Sequence, residues 1–365
     1  MNRRTYLLGG GAIALGAAAL ATTSVLQMGS EEGHRAAARA QRAPLPDAPE
    51  LEELVRYATL AANGHNTQPW KFQLGRGQIA IWPDFSRRTP AVDPDDHHLF
   101  FSLGCAAENL SLSAAARGRP GATHFDARDG GHVVFEFIEG ARAHSTLFDA
   151  IPRRQSTRAD FDGRAVGSAE LEILADVVPA SQGVALELVT DRAKIERIRD
   201  LVVAGNDVQM ADRAFVSELR RWLRFNPRQA METGDGLFVG TTGNPSMPTW
   251  LGRSMFELAF RAAAEDDKYA SQLRTSSGVA VFFAEQASPE HWVRAGQACQ
   301  RFALQATALG MKLSFVNQPV EVGGLRKELS ALVGMKDRRP DAVLRFGYGP
   351  SLPYALRRPV GSVVV

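Results

Sequence analysis

The sequence predicts a mixed helix-and-strand fold made of two related halves fused in one chain. Three observations carry this reading. The first is an internal repeat. Leu51-Glu52-Glu53-Leu54 opens a helical stretch that runs on into strand-like Phe72-Gln73-Leu74. Leu171-Glu172-Ile173-Leu174 opens a similar stretch that runs into Leu186-Glu187-Leu188, about six residues shorter on the same pattern. The second is an echo between two small-residue-rich helices, Ser102-Leu103-Gly104 through Gly118 and Arg294-Ala295-Gly296 through Gly310, each stopped by glycine. The third is complementarity. The residues missing from the second copy are those that hold Asn63-Gly64-His65-Asn66-Thr67-Gln68-Pro69-Trp70 in the first. Conversely, Arg153-Arg154-Gln155-Ser156-Thr157-Arg158, ahead of the second copy, has no counterpart ahead of Leu51. Chance explains the helices alone, whereas duplication also explains the reciprocal losses.

Length and composition agree. At 365 residues the chain is long for one domain and natural for two packed together. Its 45% apolar and 22% charged residues describe a soluble globular protein with a substantial core. The formal charge of +2 comes from residues 1–42, which hold five Arg against two Glu, leaving 37 basic and 38 acidic residues elsewhere. Nothing in that balance points to nucleic acid or an anionic membrane surface. Cys105 and Cys299 lie on predicted helices at inequivalent repeat positions, which favours buried free thiols over a disulfide.

Taken in order, residues 1–30 read as an export signal. Asn2-Arg3-Arg4-Thr5-Tyr6-Leu7-Leu8 precedes an uncharged run, and paired arginines before an aromatic and two leucines resemble a twin-arginine signal. The same run is just long enough to be a lone membrane anchor. Ala38-Arg39-Ala40 offers a cleavage site, and residues 31–49 read as a flexible linker. The halves then span 50–145 and 146–365. Within the second, a stretch at about 230–251 is rich in Gly, Pro and Thr and too long for a simple connection, so it reads as a lid. Asp93-Pro94-Asp95-Asp96-His97-His98 reads as helix capping, not a metal site. Arg220-Arg221-Trp222-Leu223-Arg224 reads as one face of a helix. There is no zinc spacing, dinucleotide fingerprint, nucleophile elbow or H-E-x-x-H.

The Asn66-Thr67-Gln68-Pro69-Trp70 and Arg154-Gln155-Ser156-Thr157-Arg158 strings, the latter followed by Phe161, resemble the N-x-Q-P-W loop and R-x-S-x-R/K-x-x-F signatures of the nitroreductase-like FMN flavoproteins. Over residues 51–365 the chain most resembles the fused, Acg-like branch of that family. The resemblance implies an α+β, nitroreductase-like fold in which two halves form an internal pseudo-dimer around one FMN, compatible with a monomer. In the family, FMN takes the R-x-S helix from one subunit and the Q-P-W loop from the other. Carried over, Arg154, Gln155, Ser156 and Arg158 would line phosphate, ribityl and pyrimidine. Guanidinium forks and a hydroxyl suit a phosphate dianion. Asn63, Gly64, Asn66 and Gln68 would meet the flavin's polar edge, with Pro69 fixing the backbone and Trp70 packing the loop. Asn63 departs from the family's usual serine.

Leu344-Arg345-Phe346-Gly347-Tyr348 resembles the family's closing strand, and Arg357 and Arg358 its terminal basic pair, which would complete the phosphate cage. The strand Leu313-Ser314-Phe315-Val316 would bring the backbone amides of Asn317 and Gln318 to the flavin N5. Many relatives have an acidic residue and Gly there, a departure that bears on redox potential.

The expected function is therefore that of an exported FMN-dependent oxidoreductase using NAD(P)H or another electron donor. It would carry out hydride transfer without an essential protein acid or base, so that the named residues bind and tune. The rival is a flavin-binding or flavin-sequestering protein with little turnover, since an exported protein meets little NAD(P)H and a lid denies substrate the ring. Expected partners are the flavin, its electron donor and the twin-arginine machinery. The expected location is the periplasm or the outer face of the cytoplasmic membrane.

Overall fold

Two glycines set the centre of the molecule. In the computed structural model, which describes residues 28–179, 183–259 and 262–365, helices His97–Ala116 and Pro289–Ala308 cross at their small residues. A Cβ on Gly104 would lie 1.9 Å from the Val293 carbonyl oxygen, and one on Gly296 would lie 2.0 Å from that of Phe101. Only glycine permits this approach. The contact is reciprocal, because 104 to 296 and 101 to 293 are the same step of 192 residues. The polar contacts repeat it. Arg301 donates to Glu108 at 2.8 Å, and Gln300 donates to Asn109 at 2.8 Å, again related by 192. Gly118 and Gly310, stopping the two helices at φ 79° and 80°, obey the same step. Each pair maps onto its partner when the halves are exchanged, as at a twofold interface.

The sheets repeat as well. Strands β1 (Trp70–Gly75), β2 (Gln78–Pro83), β3 (Gly121–Asp126) and β4 (His132–Phe137) pair in the order β1-β2-β4-β3. Strands β5 (Val184–Val189), β8 (Gly278–Ala284), β9 (Lys312–Phe315) and β10 (Ala342–Gly347) pair as β5-β8-β10-β9, while β6 (Leu223–Arg224) and β7 (Leu237–Phe238) form a separate short parallel ribbon. Every pairing in both sheets is antiparallel. The fold is thus α+β with two topologically equivalent halves. One core, running from Leu54, Trp70 and Phe135 through Cys105 and Cys299 to Phe282 and Phe346, joins them. Both cysteines are buried free thiols, as expected.

The halves differ in what covers their outer faces. Strand β1 alternates buried and exposed residues near its start, the mark of a one-sided sheet, whereas β8 and β10 are buried throughout. A second core of Ile195, Ile198, Val279, Val281, Val320 and Leu329 lies on that second face. It comes from an insertion between β5 and β8, which contains the helices Arg192–Ala211 and Ala262–Arg274, and from residues 318–332. The lid expected at 230–251 is only part of this larger insertion.

The flexible linker expected at 31–49 requires correction. Residues Glu31–Gln41 form a helix, α1, capped by Ser30, whose hydroxyl accepts from Gly33 N. Apolar and polar contacts fix it: His34 is fully buried against Phe238, and Ser246 donates to Glu31 at 2.8 Å. The Ala38-Arg39-Ala40 cleavage site lies inside α1, with Ala38 buried, so it is not an extended segment open to a peptidase. The expected signal lies almost wholly outside the described residues.

Candidate active site

The Q-P-W loop is held in a conformation that side chains seldom adopt. His65, Asn66 and Gln68 have φ of 46°, 53° and 52°, which costs energy unless the surroundings hold it. Its amides do the holding. Asn66 Nδ2 donates to the carbonyls of Gly236 at 3.0 Å and Leu356 at 3.1 Å, and the Asn63 carboxamide oxygen accepts from Gln68 N at 2.9 Å. Gln68 is fully buried, donating to the Gly234 carbonyl at 2.8 Å and accepting from Arg358 N at 2.9 Å. Gln68 therefore does not face the cavity, contrary to expectation. It ties the loop to the insertion and the tail. Trp70 is fully buried beneath.

The R-x-S segment runs along the edge of the second sheet. Ser156 bridges Leu313, and Thr157 N donates to the Leu313 carbonyl at 2.7 Å. Arg345, fully buried in β10, donates to the carbonyls of Thr157 at 2.8 Å and Ala159 at 2.7 Å and lies over the Phe161 ring. It thus fixes the backbone on both sides of Arg158. Gln155 clamps the tail, donating to the Leu352 carbonyl and accepting from Leu352 N at 3.1 Å.

After β10 the tail crosses to the other half, where Val364 bridges Phe72 of β1. On the way it places its two arginines differently. Arg357 is buried and lines the cavity, donating to the carbonyls of Thr59, Leu60 and Ala61 and to Asn66 Oδ1. Arg358 turns away to the Ser362 carbonyl and Asp84, so its assignment to the cage is corrected.

These segments enclose a cavity of about 300 Å³, at the lower end of small-molecule sites. Asn63, Gly64 and Asn66 of one half and Arg154, Gln155, Ser156, Arg158, Asn317, Gln318 and Arg357 of the other line it. At Asn317 the side chain is spent on Val343 N, at 2.8 Å, which leaves its backbone for the cavity. The amides of Asn317 and Gln318 open the short helix Gln318–Glu321 and have no intrahelical acceptor. The insertion supplies the remaining wall, including Phe215, Leu219, Leu237 and Val239.

The electrostatics are unusual. Arg154 and Arg357 are buried and Arg42 is half-buried beside them, and none of the three has a carboxylate partner among the described residues. Desolvation and mutual repulsion lower the pKa of Arg357, and desolvation lowers that of Arg154. The Nε atoms of Arg42 and Arg154 are shielded and have no acceptor among the described residues. Uncompensated buried charge of one sign is costly, and an anion at this end of the cavity would offset it. Arg158 and Lys268 add a second cationic group near His65, whose pKa desolvation lowers to about 4.

Sequence reasoning missed Arg42, His65, His98 and Glu321, all of which line the cavity. His65 sat inside the recognised loop, and the other three carried no local signal. His98 Nε2 lies 3.7 Å from Glu321, which burial raises to about 7. The acidic stretch before His97 is a cap, as expected: Asp93 accepts from His98 N and Leu99 N, each at 3.0 Å. No metal-ligand cluster occurs among the described residues.

No family model matches the chain. It is 25% identical over 334 residues to "Putative NAD(P)H nitroreductase Rv3131" of Mycobacterium tuberculosis, covering 87% of this chain and 92% of that protein. It is 22% identical over 326 residues to "Putative NAD(P)H nitroreductase acg" of the same organism, covering 86% and 94%. Among solved structures, the FMN-dependent nitroreductase NfnB from Mycobacterium smegmatis in complex with NADPH superposes with a TM-score of 0.37 at 16% identity, covering 60% of this chain and 91% of that one. A nitroreductase with bound FMN from Desulfitobacterium hafniense gives 0.38 at 13%, covering 59% and 96%. The α+β class and its repeat rest on the topology above.

Proposed function

We propose that the chain is an FMN-dependent, nitroreductase-like oxidoreductase with one composite flavin site. The observation that carries this reading is the cluster of arginines without counter-ions at one end of a cavity built from both halves. A phosphate dianion would neutralise it. The near full-length similarity to two proteins that bear the name "Putative NAD(P)H nitroreductase" supports the same reading. Bound FMN would supply hydride chemistry at its ring. The chain's own part is to hold the phosphate at Arg154 and Arg357 and to keep Arg158 at the second cationic group. The strained loop 63–66 would be held against the flavin's polar edge, and the apolar insertion wall would exclude water. Purified protein should carry flavin at about one per chain, and anaerobic NADPH should bleach its absorbance. A protein that neither carries nor takes up FMN would overturn the reading.

A second reading, flavin retention with little turnover, is favoured by the same wall, since Phe215, Leu219, Leu237 and Val239 close one side of the cavity. Stopped-flow reduction distinguishes them: slow bleaching of fully flavinated protein supports retention.

We further propose export by a twin-arginine signal, on Arg3 and Arg4 of the sequence. Replacing both with lysine preserves charge but removes the guanidinium. Normal export of that variant would rule out twin-arginine recognition.

A further inference from the structure

The N-terminal helix ends inside the candidate site. Gln41 forms a reciprocal pair with the Arg357 backbone, its Nε2 donating to the carbonyl at 2.7 Å and its Oε1 accepting from N at 2.8 Å. The next residue, Arg42, lines the cavity with Arg154 and Arg357. Its guanidinium lies over the Tyr354 ring, 4.2 Å from the centroid, and donates to the carbonyls of Ala355 at 3.2 Å and Ala38 at 3.3 Å. Its Nε is shielded and has no acceptor among the described residues. An arginine that merely caps a helix gains nothing by standing beside two other arginines in a partly dry site. A shared anion gives the three a common purpose.

We propose that Arg42, outside both sequence motifs, is the third guanidinium of the phosphate cradle, and that residues 31–42 form a strap fastened by the bound phosphate. The strap reaches from the cradle to the insertion, where His34 meets Phe238 and Ser246 meets Glu31. It therefore links the phosphate end of the site to its wall. This inference rests on the flavin reading above.

The test compares FMN with riboflavin, which lacks the phosphate, by fluorescence titration of the full chain and of Arg42→Gln. FMN affinity should fall about 10- to 150-fold, the range for one charge-assisted hydrogen bond, with riboflavin affinity unchanged. Equal losses for both ligands, or no loss for either, would overturn the role of Arg42 while leaving the flavin reading intact. If the parent chain binds neither ligand, the flavin reading fails and this inference with it. Should Arg42→Gln fail to fold, Arg42→Lys is read instead. It keeps a point charge and loses the fork, so FMN should weaken selectively but by less, and a uniform change would again refute the proposal.

Discussion

Arg154→Gln should have opposite consequences for the flavin-free and the flavin-bound protein. Without FMN, Arg154 is a buried cation beside Arg42 and Arg357 with no carboxylate partner among the described residues. Among the described residues it makes one hydrogen bond, from Nη2 to the Leu60 carbonyl at 2.9 Å, and its Nε has no acceptor. Removing the guanidinium loses that bond, worth about 1.5–3 kcal/mol for a charged donor. The Leu60 carbonyl is not orphaned, because Arg357 Nη2 still donates to it at 3.2 Å. Against the loss stands relief of an unpaired buried charge, whose effective penalty is several kcal/mol. The flavin-free variant should therefore match or exceed the parent in stability. With phosphate bound the charge is compensated, and the variant forfeits about 1.5–3 kcal/mol of binding, or about 10- to 150-fold in affinity. Urea unfolding with and without FMN, together with titration, measures both. A variant destabilised equally in the two states would show that Arg154 is a structural residue and would refute the argument from uncompensated charge.

Gly104→Ala and Gly296→Ala should each cost about 3 kcal/mol, because the new methyl meets backbone that cannot step aside. Their near equality in urea unfolding tests the twofold relation of the helices, and a loss below about 0.5 kcal/mol in either would refute it. Asp341→Asn should steepen acid destabilisation. Burial raises Asp341 to about 7, so folding takes up a proton there, and that contribution is complete below the unfolded pKa and lost as pH rises through about 7. Without it, stability between about pH 4.5 and 6.5 should fall on acidification by about 1.4 kcal/mol per pH unit more than in the parent, and parallel urea-midpoint profiles would contradict this. Shortening the loop at residues 242–245, where Thr242 and Asn244 line the cavity, while leaving Gly234 and Gly236 to anchor Gln68 and Asn66 and Ser246 to hold Glu31, should speed NADPH reduction of the bound flavin. Stopped-flow rates equal to the parent's would remove the lid from the argument.

Local strings made much of this molecule legible. The helices opening at Leu51 and near Leu171, the glycine stops at Gly118 and Gly310 and the strand at Leu313 all follow from residue type and period, which act over a few neighbours. The repeat was legible because equivalent contacts demand equivalent residues: a second close helix approach needs a second glycine 192 positions on. What the sequence could not determine was direction. Arg357 and Arg358 are adjacent and chemically identical, yet one enters the cavity and the other leaves it, because the path of the tail from β10 to Phe72 decides which side faces inward. Asn66 and Gln68 were read as ligand contacts because amides suit a flavin edge, but amides also suit exposed carbonyls in a strained loop. In the folded chain Gly234 takes the Gln68 amide away from the cavity, while Asn66 still lines the cavity but spends its amide nitrogen on Gly236 and Leu356. Arg42 carried no motif at all. Its place beside Arg154 exists only because the N-terminal helix packs across the insertion, bringing together charges that are 112 residues apart (42 to 154) in the chain. Sequence period specifies which faces are apolar; the sum of burial over the whole fold decides which polar groups are left facing each other.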